Sequence, residues 1–198
     1  MRFERLAFAS TVRLVTRARV EPPADPLDRA VLGFGGPFDP VAATFALSRS
    51  DGRFHRAGQP GVWYACGQLN TAAAEVAFHQ RRRLQTSGFA GAAVRLVELR
   101  ASAAGIFGDL RGTSTPALDP DIAVGWPAGQ TVADEARKQS CEGIVWPSVR
   151  DPAGGDALAI LRPEGVRSPQ PGKAWILRVD ASTDAAELSA DEPIAAEA

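Results

Sequence analysis

Three short apolar runs follow one another late in the chain, at residues 143–147, 156–162 and 174–180, with no helical pattern between them. Each is bounded by turn-forming residues and reads as a strand. Consecutive strands do not come from a regular strand–helix–strand repeat. The expected class is therefore α+β: mixed or antiparallel strands with a few helices. Residues 11–17, 61–66 and 92–100 supply further strand patterns earlier in the chain.

Two longer helices are expected. Residues 72–84 contain no breaker, Asn70 or Thr71 can cap their start, and Gly88 can end them. Arg81, Arg82 and Arg83 then lie near the C-terminus, where cations favour the helix dipole. Thr131-Val-Ala-Asp134 has the form of a capping box, with Asp in place of Glu or Gln, and starts a second helix to about Gln139. Residues 21–40, rich in Pro and Gly, read as loop with one short helix over 27–32, and residues 101–130 show no period. Asp51-Gly52 is a turn signal. From Ala181 the chain is rich in Ala, Glu and Asp and is expected to fray. The organisation is thus one domain over 1–180 and a tail over 181–198, without repeats or heptads.

Composition narrows the function. At 198 residues, 45% hydrophobic and 23% charged, the chain can bury a core without metal or disulfide. Its net charge of −1 gives no global pull toward nucleic acid or anionic membrane. Two cysteines, Cys66 and Cys141, make no disulfide framework, and no signal-peptide core or membrane-length apolar run is present. A reduced, cytoplasmic setting is expected. Neither phosphate-cradling glycine motif occurs, and only two histidines, His55 and His79, are available for a metal site or a serine triad. No metal is expected.

Four residues remain. Arg53 follows the Asp51-Gly52 turn, Tyr64 is the one tyrosine and ends an apolar run, Glu75 lies early in the first helix, and Ser148 follows the run 143–147. Singly, each has an ordinary explanation: a solvated arginine, a half-buried core aromatic, a carboxylate favouring a helix start and a turn serine.

Together they form a pattern. Gly52-Arg53-Phe54, Gly61-Val-Trp-Tyr64-Ala, Thr71-Ala-Ala-Ala-Glu75 and Gly143-Ile-Val-Trp-Pro-Ser148-Val-Arg150 resemble successive blocks of the RES domain family, over roughly residues 11–165. The arginine, glutamate and serine that name the family match Arg53, Glu75 and Ser148. Asp156-Ala-Leu-Ala-Ile-Leu resembles its final apolar strand. Arg13 resembles its N-terminal arginine, with Arg17 as the alternative. His55 stands where the family has asparagine, and the 40 positions (53 − 13) from Arg13 to Arg53 suggest an inserted loop. The resemblance implies a fold similar to ADP-ribosyltransferases and a toxin that consumes NAD⁺ as substrate, with no further cofactor. Hydrolysis, phosphorolysis or ADP-ribosyl transfer to a protein are all implied. It further implies an Xre-like helix-turn-helix antitoxin as partner and a homodimer. A non-catalytic interaction module is the reading from another class. Within the enzyme reading, Glu75 would stabilise the ribosyl cation, Arg53 and Arg13 the pyrophosphate, Tyr64 the nicotinamide ring, and Ser148 a substrate group or Glu75 itself.

Overall fold

The computed structural model describes residues 1–16 and 40–191. Strand β1 (Arg2–Thr16) is twice the length of its sequence signal. Its first half is held by distant pairing: Arg2 to Phe8 lie opposite Asp109 to Ala103 of strand β3 (Gly91–Asp109). β3 in turn runs well beyond residue 100, through an Ala/Ser/Gly stretch of poor intrinsic strand preference. Neighbours on both sides supply what propensity does not.

Five strands close a hydrogen-bonded circuit. β1 pairs with β2 (Trp63–Cys66), β2 with β5 (Asp156–Ile160), β5 with β4 (Gly143–Pro147), β4 with β3, and β3 again with β1. Strands β6 (Val166–Asp180) and β7 (Ala186–Ala190) extend the sheet from β3. Only β3–β4 is parallel among the described residues. The α+β expectation holds. Two expectations do not. β6 begins eight residues earlier than 174, and the tail does not fray at once after Ala181, because Ala186–Ala190 pairs with Trp175–Val179.

The middle strands are buried on both faces, which is why they read as unbroken apolar runs. Trp63, Ala65, Val145, Leu158 and Ile160 fill a core inside the circuit, with Val41 and Phe45 of helix α1 (Pro40–Phe45) against it. Cys66, Ile144, Trp146, Ala157 and Ala159 face the second core, roofed by the two long helices. Cys66 and Cys141 are both buried and unpaired.

Helix α2 (Leu69–Ser87) ends on Gly88 at φ 73°, as expected. Its cap is Gln68, without a side-chain bond, rather than Asn70 or Thr71. Because α2 continues to Ser87, Arg81–Arg83 lie short of its last turn and do not serve its dipole. Helix α3 (Ile122–Lys138) starts nine residues before Thr131, capped by the Asp121 side chain on the Ala123 N–H. Gly125, Pro127 and Gly129 lie inside it. The strand expected over 61–66 begins at Trp63, and residues 17–39, with the short helix expected over 27–32, lie outside the described residues. No described helix is long and apolar enough to cross a membrane.

Candidate active site

The site is built between α2 and α3, over the end of β4. Helical spacing places Thr71, Glu75, His79 and Arg82 on one face of α2. Ala72, Ala73, Ala77 and Leu84 occupy the face against the sheet.

Glu75 and Thr71, one turn apart, hold the loop that leaves β4. The Ser148 hydroxyl donates to Glu75 Oε1 at 2.7 Å. Ser148 Oγ in turn accepts from the N–H groups of Arg150 at 3.1 Å and Asp151 at 3.2 Å. The serine rotor is thereby fixed, with its one proton directed at the carboxylate. Thr71 Oγ1 donates to Asp151 Oδ2 at 2.7 Å, and Asp151 also accepts from the Ala153 and Gly155 N–H groups. Those bonds, Thr71 first, hold the Asp151 carboxyl below its usual range. A Cβ on Gly155 would lie 2.2 Å from Thr71 Oγ1, so only glycine lets loop and helix approach this closely.

Arg53 comes from the opposite wall. It sits in the turn closed by the Gly52 N–H on the His55 carbonyl, 2.9 Å. Though charged, it is 8% exposed. Its Nη1 donates to the Ala117 carbonyl and to the Asp119 carbonyl, the latter at 3.2 Å. It crosses α3 in a notch: a Cβ on Gly129 would lie 2.4 Å from the Arg53 carbonyl oxygen, and one on Gly125 2.7 Å from Nη1. Those glycines give Arg53 the room to cross the helix. α3 also clasps the turn directly. Gln130 Nε2 donates to the Gly52 and His55 carbonyls, and Arg137 Nη2 to that of Phe54. Arg56 and Asp134 form a two-pronged ion pair.

Tyr64 fastens the same turn. Its hydroxyl accepts from the Phe54 N–H at 3.0 Å and shares a 3.0 Å hydrogen bond with His55 Nδ1. Burial keeps the phenol protonated far above neutral pH, and burial, then Arg137, lowers the His55 pKa. The ring packs edge-on against Trp146 and is half-buried.

Electrostatically, Arg53, Glu75 and Arg150 act on one another. Burial pushes the Glu75 carboxyl above the usual carboxylate range, opposed by the Ser148 bond and then by Arg53 and Arg150. Burial likewise lowers the Arg53 pKa, opposed first by Glu75. The result is one carboxylate in a cationic recess, suited to an anionic substrate on which positive charge develops.

Glu75, Ser148, Arg53 and Tyr64 are thus brought together. Arg13 is not brought to the carboxylate. Its neighbours Val12 and Leu14 face the core beneath the helices, whereas its guanidinium lies 4.8 Å from the Trp63 ring centroid and Nη1 donates to the Tyr64 carbonyl at 3.1 Å. Arg17 lies outside the described residues. The sequence reading missed Arg150, which donates to the Pro120 carbonyl at 2.6 Å and stacks 3.4 Å from the Phe78 ring centroid. It also missed Thr71–Asp151, the notch glycines, His79 and Trp126. The i, i+4 spacings Thr71–Glu75–His79 and Gly125–Gly129 were the available signals. Among the described residues, no group of three or more His, Cys, Asp or Glu is placed to hold a metal ion.

A small α+β domain with a half-buried carboxylate, a serine that orients it and an arginine delivered across a glycine notch defines the class. The RES domain family model matches residues 26–180, and the chain belongs to that family. The match includes Arg53, Tyr64, Glu75 and Ser148 but begins after Arg13 and Arg17, and it ends later than residue 165. The family is associated in general with toxin–antitoxin pairs and with NAD⁺-utilising activity. No curated protein matches the chain.

Proposed function

We propose that the protein cleaves the nicotinamide–ribose bond of NAD⁺, passing ADP-ribose to water or phosphate. The observation that carries this reading is the Glu75 carboxylate, fixed at 2.7 Å by Ser148 in a recess shared with Arg53 and Arg150. As the C1′–N bond breaks, its electron pair leaves with nicotinamide, which departs neutral, and positive charge spreads over the ribose. An ionised Glu75 stabilises that cation. At about 4 Å and an effective dielectric near 20, unlike charges attract by about 4 kcal/mol, roughly a thousandfold in rate. Water then adds at C1′ and loses a proton, or phosphate adds and gives the ribosyl phosphate. Arg53 and Arg150 hold the pyrophosphate through planar donation. Tyr64 positions Arg53 through the turn, and its ring is the candidate contact for the nicotinamide.

In the cell the reading is that of a cytoplasmic toxin that drains NAD⁺, held in check by a cognate Xre-like helix-turn-helix antitoxin and acting as a homodimer. The test is NAD⁺ turnover by purified protein with and without inorganic phosphate, with products identified by mass. Free nicotinamide with ADP-ribose or its phosphorylated counterpart supports the proposal. Intact NAD⁺, or ADP-ribose found only on protein, overturns it.

A further inference from the structure

Beside the carboxylate, rings and guanidinium groups of α2, α3 and the loop after β4 form a ladder, of which the proposed reaction uses only Arg150. Arg150 lies over Phe78 at 3.4 Å, Phe78 meets His79 at 5.3 Å, His79 meets Trp126 at 6.3 Å, and Arg82 lies over Trp126 at 5.6 Å. Phe78, His79 and Arg82 belong to α2 and Trp126 to α3. The two helices barely touch through their backbones, so at this level side chains form the link between them.

Trp126 has no part in holding the fold's interior together. Trp63 and Trp146 are buried in the cores and Trp175 packs against one, but Trp126 belongs to neither and is half-buried. His79 is exposed to solvent yet crowded by protein, as for a side chain lining a cleft. Its pKa is pulled down to about 4 by desolvation and then by Arg150, Arg82, Arg83 and Arg53. At neutral pH it is an uncharged flat ring. An indole, a neutral imidazole and the guanidinium groups of Arg82 and Arg150 along one ladder suit a flat heteroaromatic base joined to phosphates. A clamp between helices would need one cation–π pair on an exposed surface and no gathering of like charges, which repel.

The spacing agrees. Seven residues of helix separate Glu75 from Arg82, about 10 Å along α2. A dinucleotide with its reactive ribose at Glu75 and its diphosphate at Arg150 would carry its second base to this ladder.

We propose that Trp126, with His79 and Arg82, is the nucleobase subsite of the cleft and takes adenine with its adjoining diphosphate. This rests on the reading of the cleft as a dinucleotide site. The test is a calorimetric titration of the full chain with ADP and with inorganic pyrophosphate, for the wild type and for Trp126→Ala, Trp126→Leu and Trp126→Phe. Base stacking on an aromatic ring makes ADP bind about tenfold or more weakly to the Ala and Leu variants, while Phe stays within about threefold of wild type. Pyrophosphate, which has no base, shifts less than ADP. Leu keeps most of the side-chain volume and so separates ring loss from a folding defect. Equal ADP affinity in wild type and Leu variant, or no ADP binding by wild type, overturns the subsite. NAD⁺ turnover is scored separately, so a protein that consumes NAD⁺ but ignores Trp126 refutes this inference alone.

Discussion

The two walls of the cleft contribute in opposite ways. The α2 wall acts through the side chains it presents: Thr71 and Glu75, one turn apart, each hold a different residue of the loop 148–155. The α3 wall acts first through side chains it lacks. Gly125 and Gly129, also one turn apart, leave a channel through which Arg53 passes from a distant turn. One wall supplies a group and the other supplies space. A functional helix is therefore recognised as much by what it omits, once the close approach is known, as by what it carries.

Filling the channel is the harshest way to break this comparison. In Gly129→Val the added branches meet the Arg53 backbone and Cγ, so the turn must move. Displacement of a positioned group by an ångström costs roughly 100-fold in kcat/KM, and overpacking costs about 1–3 kcal/mol of stability. Steady-state kinetics with a melting curve read both. Wild-type activity in a variant of lowered melting temperature would show that α3 only buttresses the fold.

Ser148→Ala sharpens the other wall. It removes a hydrogen bond that favours the ionised carboxylate, so the already raised Glu75 pKa rises further. Activity that needs the carboxylate is lost as pH falls through that pKa. The acid limb of the kcat/KM profile therefore moves to higher pH, with about a tenfold loss near neutrality. A pH profile superimposable on wild type would remove Ser148 from the control of Glu75.

Thr71→Val is the mildest change. It frees Asp151, whose pKa is lowered chiefly by this bond. A lowered carboxyl pKa stabilises the fold above the unfolded-state pKa, and that stability is lost as pH falls through the folded one. The variant loses about 1 kcal/mol at neutral pH and less in acid, with a few-fold loss of activity, as urea melts at two pH values would show.

How much of this was legible follows the same division. Where the signal is local, the sequence suffices: the breaker-free run of α2, its stop at Gly88 and the strand Gly143–Pro147 fall where expected. Glu75 and Ser148 were found by their blocks and meet in space. Where structure depends on distant partners, it was hidden. The first half of β1 and the second half of β3 make each other strands, and β7 exists because β6 offers an edge. The glycines and proline of 122–130 argued locally against helix, yet Arg53 requires the glycines. Thr71 looked like a cap because its hydroxyl suits one, but that hydroxyl serves Asp151.

The central claim is that an ionised side chain at position 75 stabilises the breaking glycosyl bond. Nicotinamide release from NAD⁺ by wild type and Glu75→Gln tests it most directly. Glutamine keeps an oxygen for Ser148 to bond. It also removes a group whose raised pKa makes its ionised form a cost to the fold, a cost absent in acid and present as pH rises past that pKa. The variant should release nicotinamide about a thousandfold more slowly, with a melting temperature at neutral pH no lower than wild type. Release at the wild-type rate by a folded Glu75→Gln protein would contradict the account.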